Sequence, residues 1–273
     1  MFKIYDLNMK EITLPKGVMP LEIFVGSVSK NRVTEEVDGR AGVVDYGFNY
    51  TDRPVSLFLR IKAADKIDFR LLRNEVFATF DVGSAFYVAE SDVPSRVLKV
   101  VVDESYIPDR LTEEYADFDI NCRTLDSVFW ESKYTTLELH DSGYSATSEK
   151  YGLVDNIDDE KVKYRFTESN FTVYNAGNVT VEPESMDINI IIAGCNGNKI
   201  TIHNKTTGDK LEINVLMSGH LVTQRGMVVT VGGVNRFRDT NRRFISLAPG
   251  DNVFEISGAT FERASIDFKY YYK

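Results

Sequence analysis

Short runs of alternating apolar and polar residues fill most of the 273-residue chain. The runs are rich in β-branched and aromatic residues, and turn residues separate them at intervals of about 8 to 12 positions, which is typical of β-sandwiches. The runs that predict strands are 21–28, 55–62, 96–103, 186–194, 198–204, 210–217, 227–233 and 265–272. We therefore expect a mainly β protein.

One segment, residues 64–80, has helical periodicity instead. Its apolar residues that recur at helical spacing are Ile67, Leu71, Leu72 and Val76. Asp65 stands where its side chain can cap the first turn, with Asp68 three residues further on. The pattern predicts a single amphipathic helix within the first half of the chain.

The chain becomes polar and loses its periodicity between residues 139 and 161, which favours a domain boundary there. We expect an N-terminal domain, residues 1–146, that is a β-sandwich with the one helix. Residues 147–273 are expected to form a second, nearly pure β-sandwich.

Charge divides unequally between these two parts. The formal net charge is −9, and residues 1–146 hold 25 acidic against 17 basic residues, a net of −8. Nucleic-acid binding needs clustered Lys and Arg, so no sequence-specific binding of nucleic acid is expected. No apolar run is long enough to cross a bilayer, and charges occupy the place of a signal peptide's apolar region, so we expect no membrane insertion and synthesis in a cytoplasm.

The residue types that carry catalysis or bind metals lack the spacing of known sites. Cys122 and Cys195 lie 73 residues apart without a CxxC motif, so two reduced, buried thiols are expected. The acidic run 155–160 lacks the glycine and the closing glutamate of an EF-hand and is interpreted as a solvated linker. No pattern brings the three histidines together. The sequence predicts no catalytic, cofactor-binding or metal-binding residue.

Four arginines crowd a nine-residue segment, 235–243. They are Arg236, Arg238, Arg242 and Arg243. Guanidinium groups can clamp a phosphate or a carboxylate through paired hydrogen bonds, but Asp239 lies within the cluster and opposes an anion site. A contact with a partner protein, at the rim of an assembly, is the favoured interpretation.

The stretch Pro249–Asn252 places polar residues between two apolar runs. Pro249 favours a turn, Gly250 accepts a positive φ, and Asp251 and Asn252 can satisfy local backbone groups. We interpret it as a turn rather than a ligand site, followed by a strand whose Phe254 and Ile256 enter the core.

The order of these turns resembles the distal tail protein family of long-tailed, non-contractile bacteriophages. The matching features are Asn175-Ala-Gly177 before Pro183, the hairpin Asn204–Gly208, and Pro249–Asn252 before a strand that ends at Gly258. In the first half, residues 37–42 look like the family's Gly-Arg-x-Gly turn, and the helix and the segments 85–106 and 117–132 follow in the family's order. The resemblance covers almost the whole chain.

The resemblance implies a structural virion protein without catalytic residues, made in the bacterial host cytoplasm and located at the tail tip. The N-terminal domains of the family form a homohexameric ring, and the C-terminal galectin-like sandwiches project outward. The expected partners are the tail tube protein and the tail tip, receptor-binding or baseplate proteins, and DNA passes through the lumen. Excess carboxylate in residues 1–146 agrees with a lumen that repels phosphate.

Ring closure requires two different patches that meet, and residues 28–50 are the candidate for an arm that reaches the neighbouring subunit. The polar residues proposed to act in this arm are Arg32, Glu35, Glu36, Arg40 and Asp45.

An adsorption module that binds host cell-wall saccharide through the C-terminal sandwich remains an open alternative. The only tryptophan, Trp130, lies outside the second half, which weakens this alternative because sugar rings commonly stack on tryptophan. His203-Asn204-Lys205 departs from a galectin's His-x-Asn-x-Arg, since Thr206 stands where the arginine belongs. We expect no galectin-type site.

Overall fold

The computed structural model describes residues 1–81, 83–143 and 152–273. The chain divides into two compact units, Met1–Trp130 with Lys273, and Glu131–Tyr272. The predicted boundary between Ala146 and Thr147 lies outside the described residues, so the predicted domain limits stay a prediction.

The first unit contains nine strands among its described residues and one helix. The strands are β1 (Phe2–Tyr5), β2 (Val18–Val25), β3 (Ser29–Glu36), β4 (Val43–Thr51), β5 (Pro54–Lys62), β6 (Phe86–Glu90), β7 (Arg96–Val102), β8 (Asp109–Arg110) and β9 (Tyr115–Thr124). The main sheet has the order β1-β6-β7-β9-β5-β2, with β8 beside β9. Strands β5 and β9 alternate strictly between buried and less buried positions, and Leu57, Leu59 and Ile61 of β5 are fully buried.

The helix of the first unit, α1, spans Lys66–Phe80. The Asp65 side chain accepts hydrogen bonds from the amides of Ile67 and Asp68, which confirms the predicted cap. The predicted buried face is wrong in part, because Ile67 is 66% and Leu71 57% exposed. The residues that pack into the core are Phe69, Leu72, Val76 and Phe80.

A short strand, β10 (Trp130–Ser132), follows, and the rest of the chain forms the second unit. Its strands are β11 (Arg165–Phe166), β12 (Asn170–Asn175), β13 (Ile188–Gly197), β14 (Ile200–Asn204), β15 (Asp209–Ile213), β16 (Met217–Arg225), β17 (Val228–Val231), β18 (Val234–Asn235), β19 (Gly250–Ser257), β20 (Arg263–Phe268) and β21 (Tyr271–Tyr272). The helical segments are α2 (Thr136–Ser142) and the 3-10 turns Leu153–Asp155, Asp159–Lys161 and Phe237–Asp239.

Two antiparallel sheets build the sandwich of the second unit. One has the order β11-β20-β13-β16-β17-β18 and the other β12-β19-β14-β15. Phe166 of the first sheet stacks on Phe171 of the second at 4.1 Å between centroids, and within the second sheet Phe171 stacks on its cross-strand neighbour Phe254 at 5.4 Å. The mainly β fold class is confirmed.

Helix α2 is absent from the sequence prediction. Its first turn carries a capping box, in which the Thr135 hydroxyl accepts from the Glu138 amide and the Glu138 carboxylate accepts from the Thr135 amide. Thr136 and Leu139 are buried. Within the part of the chain that the structure describes, no helix is both long and apolar enough to span a membrane.

Candidate assembly surfaces

Among residues 1–81, 83–143 and 152–273, strands β3 and β4 pair only with each other, in a two-stranded sheet that we call the arm hairpin. The register runs from Ser29 opposite Thr51 to Glu36 opposite Val43, with an irregularity between Arg32 and Thr34. Every residue of β3 is exposed. An isolated two-stranded hairpin is marginally stable in water, so this element lacks the burial that would hold it in place.

All five predicted arm residues lie on this hairpin or its turn. Arg32 forms an ion pair with Asp45 across the two strands. The Tyr46 hydroxyl donates to the Glu35 carboxylate at 3.0 Å. Glu36 and Arg40 are exposed at the far end, where Gly39 and Gly42 hold the positive φ values of the turn. These contacts stay within the hairpin, and an inter-subunit role for the five residues remains a proposal.

The sequence prediction did not include the aromatic residues of the arm hairpin. Tyr46, Phe48 and Tyr50 alternate along β4 and are 61%, 40% and 40% exposed. The Lys30 ammonium lies 4.6 Å from the centroid of the Phe48 ring. The period-two spacing Tyr-x-Phe-x-Tyr is visible in the sequence and could have identified both the strand and its exposed aromatic edge.

The base of the arm hairpin is fastened to the first unit by Arg53. Its guanidinium donates to the Gly26 carbonyl and, at 3.4 Å, to the Val128 carbonyl, while its amide donates to Thr124 Oγ1 at 3.0 Å. Arg53 is buried, and burial lowers the pKa of its guanidinium. The arm hairpin thus leaves the unit from a fixed point.

The four arginines of residues 235–243 lie on a loop of the second unit. Side-chain hydrogen bonds hold this loop in place. Asn241 donates to the Lys210 carbonyl at 2.7 Å and accepts from the Glu212 amide at 3.2 Å. Arg236 forms a salt bridge with Asp239 at 3.6 Å. Arg238, Arg242 and Arg243 are exposed and, among the described residues, form no salt bridge. Their contact with a partner stays a prediction.

The polar tip at Pro249–Asn252 is part of an internal network. The buried Asn252 side chain accepts from the Ala248 amide at 2.9 Å and donates to the Ala248 and Gly250 carbonyls. Asp251 forms a salt bridge with Lys161 at 3.0 Å. Phe254 and Ile256 are buried, as predicted.

Asn204, the asparagine of the stretch His203–Lys205 that was compared with the galectin motif, is fully buried. Its side chain donates to the Ser246 carbonyl at 2.8 Å and to Asn252 Oδ1 at 3.0 Å, and accepts from the Thr206 amide at 3.1 Å. These three hydrogen bonds occupy the side-chain amide of Asn204 within the internal network around Asn252. Asn204 therefore cannot offer its amide to a sugar hydroxyl.

The remaining candidates for chemistry occupy separate elements. His140 lies on α2, His203 on β14 and His220 on β16. Within the described residues, no three His, Cys, Asp or Glu side chains are grouped so that they could hold a metal ion. Both cysteines are free and buried, as predicted, and burial raises the pKa of Cys122 to about 12 and that of Cys195 to about 11.

Residues 7–122 match the sequence profile of the phage tail protein RIFT-related domain. Among curated proteins, none matches the sequence of this chain. The Dit (gp 19.1) protein of phage SPP1, described as a paradigm of the hub adsorption apparatus in phages that infect Gram-positive bacteria, superposes with a TM-score of 0.70. It is 11% identical, and the match covers 100% of both chains.

Two structures of the phage p2 baseplate in its activated conformation, with strontium and with calcium, superpose with TM-scores of 0.46 and 0.45 at 9% and 8% identity. Each match covers 98% of this chain and 97% of that chain. Residues 7–122 thus resemble a phage tail protein domain in sequence, and the whole chain resembles the SPP1 Dit protein in fold, so the predicted resemblance to the distal tail protein family is confirmed.

Proposed function

We propose that this protein is a structural component of the virion and has no enzymatic role. In this proposal six copies form a ring at the distal end of a phage tail, where the ring joins the tail tube to the tip and host-adsorption proteins. The observation that carries the proposal is the Dit-like fold over the full length of the chain, together with the tail-protein profile of residues 7–122.

The arm hairpin supports the self-assembly part of the proposal. It exposes two strand edges and the aromatic side chains of Tyr46 and Phe48, while Tyr50 packs edge-to-face on Phe129 at 5.1 Å between centroids; within the described chain each strand forms a ladder only with the other. Exposed strand edges and clustered aromatic residues are the features that protein interfaces commonly use. A neighbouring subunit is the partner that the proposal supplies, with Arg32, Glu35, Glu36, Arg40 and Asp45 as polar contacts.

The charge of the N-terminal half supports passage of DNA through the ring. With a net of −8 over residues 1–146, the ring-forming part carries excess carboxylate, which would repel phosphate and keep friction low. Several of these carboxylates are partly neutralised, as where Arg60 donates two hydrogen bonds of 2.6 Å to Asp117. A structure of the assembled ring with a basic lumen would contradict this part of the proposal.

Electron microscopy of the purified full-length protein tests the proposal directly. We expect rings with six-fold symmetry, and antibodies against the protein should label the distal end of purified tails. Tails labelled along the tube or only at the head end would contradict the assigned location. Calorimetric titration of cell-wall saccharides should give no heat of binding, and saturable binding would favour the adsorption-module alternative instead.

A further inference from the structure

The outward face of α1 is unlike the rest of its unit. Lys66 and Arg70 lie four residues apart, as do Ile67 and Leu71, so the four side chains share one exposed face of the helix. Neither Lys66 nor Arg70 forms a salt bridge with a described residue. This face therefore combines two cations that form no salt bridge with two exposed aliphatic side chains, in a half of the chain whose net charge is −8.

Arg73 continues this face and carries an unmet hydrogen-bond donor. Its Nε is buried and has no partner among the described residues, although its terminal nitrogen donates to Asn74 at 3.3 Å. Its guanidinium carbon lies 5.9 Å from the centroid of the Phe77 ring, so Arg73 packs along the helix and adds positive charge beside this face.

A surface with the opposite charge to this helix face lies elsewhere in the same unit. A concavity of about 840 Å³ opens near the base of the arm hairpin. Its lining includes the carboxylates of Asp52, Glu90, Asp103 and Glu104. Among the described residues of the lining the one cation is Arg123, so four carboxylates against one guanidinium give these residues a formal net charge of −3.

Arg123 forms salt bridges with Asp103 at 3.1 Å and with Asp52 at 3.7 Å, and Glu90 interacts electrostatically with the buried Arg53, so Glu104 is the carboxylate of the lining that is left without a cation. An apolar wall accompanies these charges, since Phe24 is 56% exposed and lines the same concavity with Pro54.

We propose that the cationic face of α1 on one copy binds the acidic concavity of a second copy. The two surfaces match in kind, with Lys66 and Arg70 meeting carboxylates and with Ile67 and Leu71 meeting the apolar wall. They are different patches of one chain, so the contact is heterologous and repeats from copy to copy, which is the geometry that closes a ring. The inference rests on the proposed function and names the partner surfaces of its self-assembly.

Reversing charge on each surface separately tests the match. The K66E/R70E variant changes only the helix face, where acidic residues suit the first turns of α1, and D52K/E104K changes only exposed residues of the concavity. We expect each variant alone to weaken self-association by at least about tenfold, measured by sedimentation velocity. An equimolar mixture should recover assembly, because native and doubly reversed contacts then alternate around the ring.

Matched controls separate a specific contact from a general effect of charge. K10E/K16E and E113K/E114K make the same changes of charge at exposed positions of the first unit that lie outside both surfaces. These variants should assemble like the wild type, and circular dichroism should be unchanged in all four. If wild-type rings persist in K66E/R70E and D52K/E104K, the inference is wrong while the proposed function stands. Loss of duplex-DNA binding in K66E/R70E, with assembly unchanged, would assign the face to nucleic acid and also overturn the inference.

Cross-linking tests the contact even where self-association is weak. R70C and E104C proteins, mixed and treated with a short bis-maleimide, should give heterotypic dimers in excess of those from either variant alone. R70C mixed with E113C is the matched control. Without an excess over that control the inference fails, whereas the proposed function is contradicted separately, by a wild-type protein that forms no ring and does not label tail tips.

Discussion

The arm hairpin and the β14–β15 hairpin of the second unit are built from the same antiparallel pairing, yet they differ in burial. Every residue of β3 is exposed, whereas Ile200, Ile202 and Leu211 of the β14–β15 pair are fully or almost fully buried. The second hairpin also continues into a larger sheet through β19, and the arm hairpin pairs with nothing else in the described chain.

The difference shows that a regular strand pattern and a contribution to the core are separate properties. Burial of apolar area is the main stabilising contribution to a fold, and the arm hairpin provides little of it. Its regularity within the chain comes from its own ladder and from the anchor at Arg53. The residues of the β14–β15 region should therefore govern stability, and those of the arm hairpin should govern assembly.

Replacing one phenylalanine in each region by alanine should give the largest difference between the two regions in the free energy of unfolding. Phe254 is fully buried and stacks on Phe171, whereas Phe48 is 40% exposed. We expect Phe254→Ala to lower the free energy of unfolding by about 3–5 kcal/mol and Phe48→Ala by less than about 1 kcal/mol. Urea unfolding followed by tryptophan fluorescence and by circular dichroism measures both. Equal losses for the two variants would show that the arm hairpin belongs to the core.

The buried asparagine network should give the next largest effect. Asn252→Ala removes a side chain that bonds the Ala248 backbone twice and leaves the Asn204 amide without one acceptor. We expect a loss of about 2–3 kcal/mol in unfolding free energy, because buried polar groups lose their partners. Asn49→Ala on the exposed strand β4 is the matched control and should change stability by less than about 0.5 kcal/mol. A neutral Asn252→Ala would contradict the structural role of this turn.

Thiol labelling compares the accessibility of the two regions. Because burial raises the pKa of Cys122 to about 12 and that of Cys195 to about 11, almost no thiolate is present at pH 8. A Val33→Cys variant adds an exposed thiol on β3. We expect the added thiol to react with iodoacetamide at least about a hundredfold faster than the native pair, and all three to react in denaturant. Rapid labelling of Cys122 or Cys195 in the native protein would show that their strands open readily.

The smallest predicted effect is a loss of stability at acidic pH. Lys199 and Lys210 bond the Glu212 carboxylate at 2.6 and 2.7 Å and hold its pKa at about 2, below the ordinary 4.5. The resulting stabilisation is present above pH 4.5 and is lost as the pH falls from 4.5 towards 2. Glu212→Gln should therefore reduce stability slightly at neutral pH, with the difference from wild type vanishing near pH 2. Thermal unfolding at several pH values measures this difference. Glu36→Gln, on the arm hairpin, should leave the dependence of stability on pH unchanged across the same range.

Alternation predicted strands such as β5, β13 and β19, because buried β-strands must place every second side chain in the core, but it did not identify others, among them β1, β6 and β12. For α1, the apolar pattern alone predicted part of the buried face wrongly. Ile67 and Leu71 fit the helical period, but the helix packs through Phe69 and Phe80, and the sequence does not state which of two apolar stripes faces the sheet. Helix α2 escaped prediction because it has seven residues, too few for a periodic signal, although Thr135 and Glu138 carry its capping box.

The sequence prediction located the arm as a segment but overlooked its aromatic edge, although the alternation of Tyr46, Phe48 and Tyr50 is visible in the sequence. Its charged residues, such as Glu35 and Arg40, drew attention because an exposed polar run stands out in a chain of alternating strands. The acidic concavity could not be predicted, since Asp52, Glu90 and Glu104 come from separate parts of the chain that only the folded sheet brings together.

The central claim is that the arm hairpin governs assembly. Native mass spectrometry tests it most directly, by comparing the full-length protein with a variant in which a short Gly-Ser linker replaces β3, its turn and β4. The account predicts six copies for the full-length chain and a single copy for the variant, with a melting temperature that is nearly unchanged. Assembly of the variant into the same six-copy species, or a large loss of thermal stability in the variant monomer, would contradict the account.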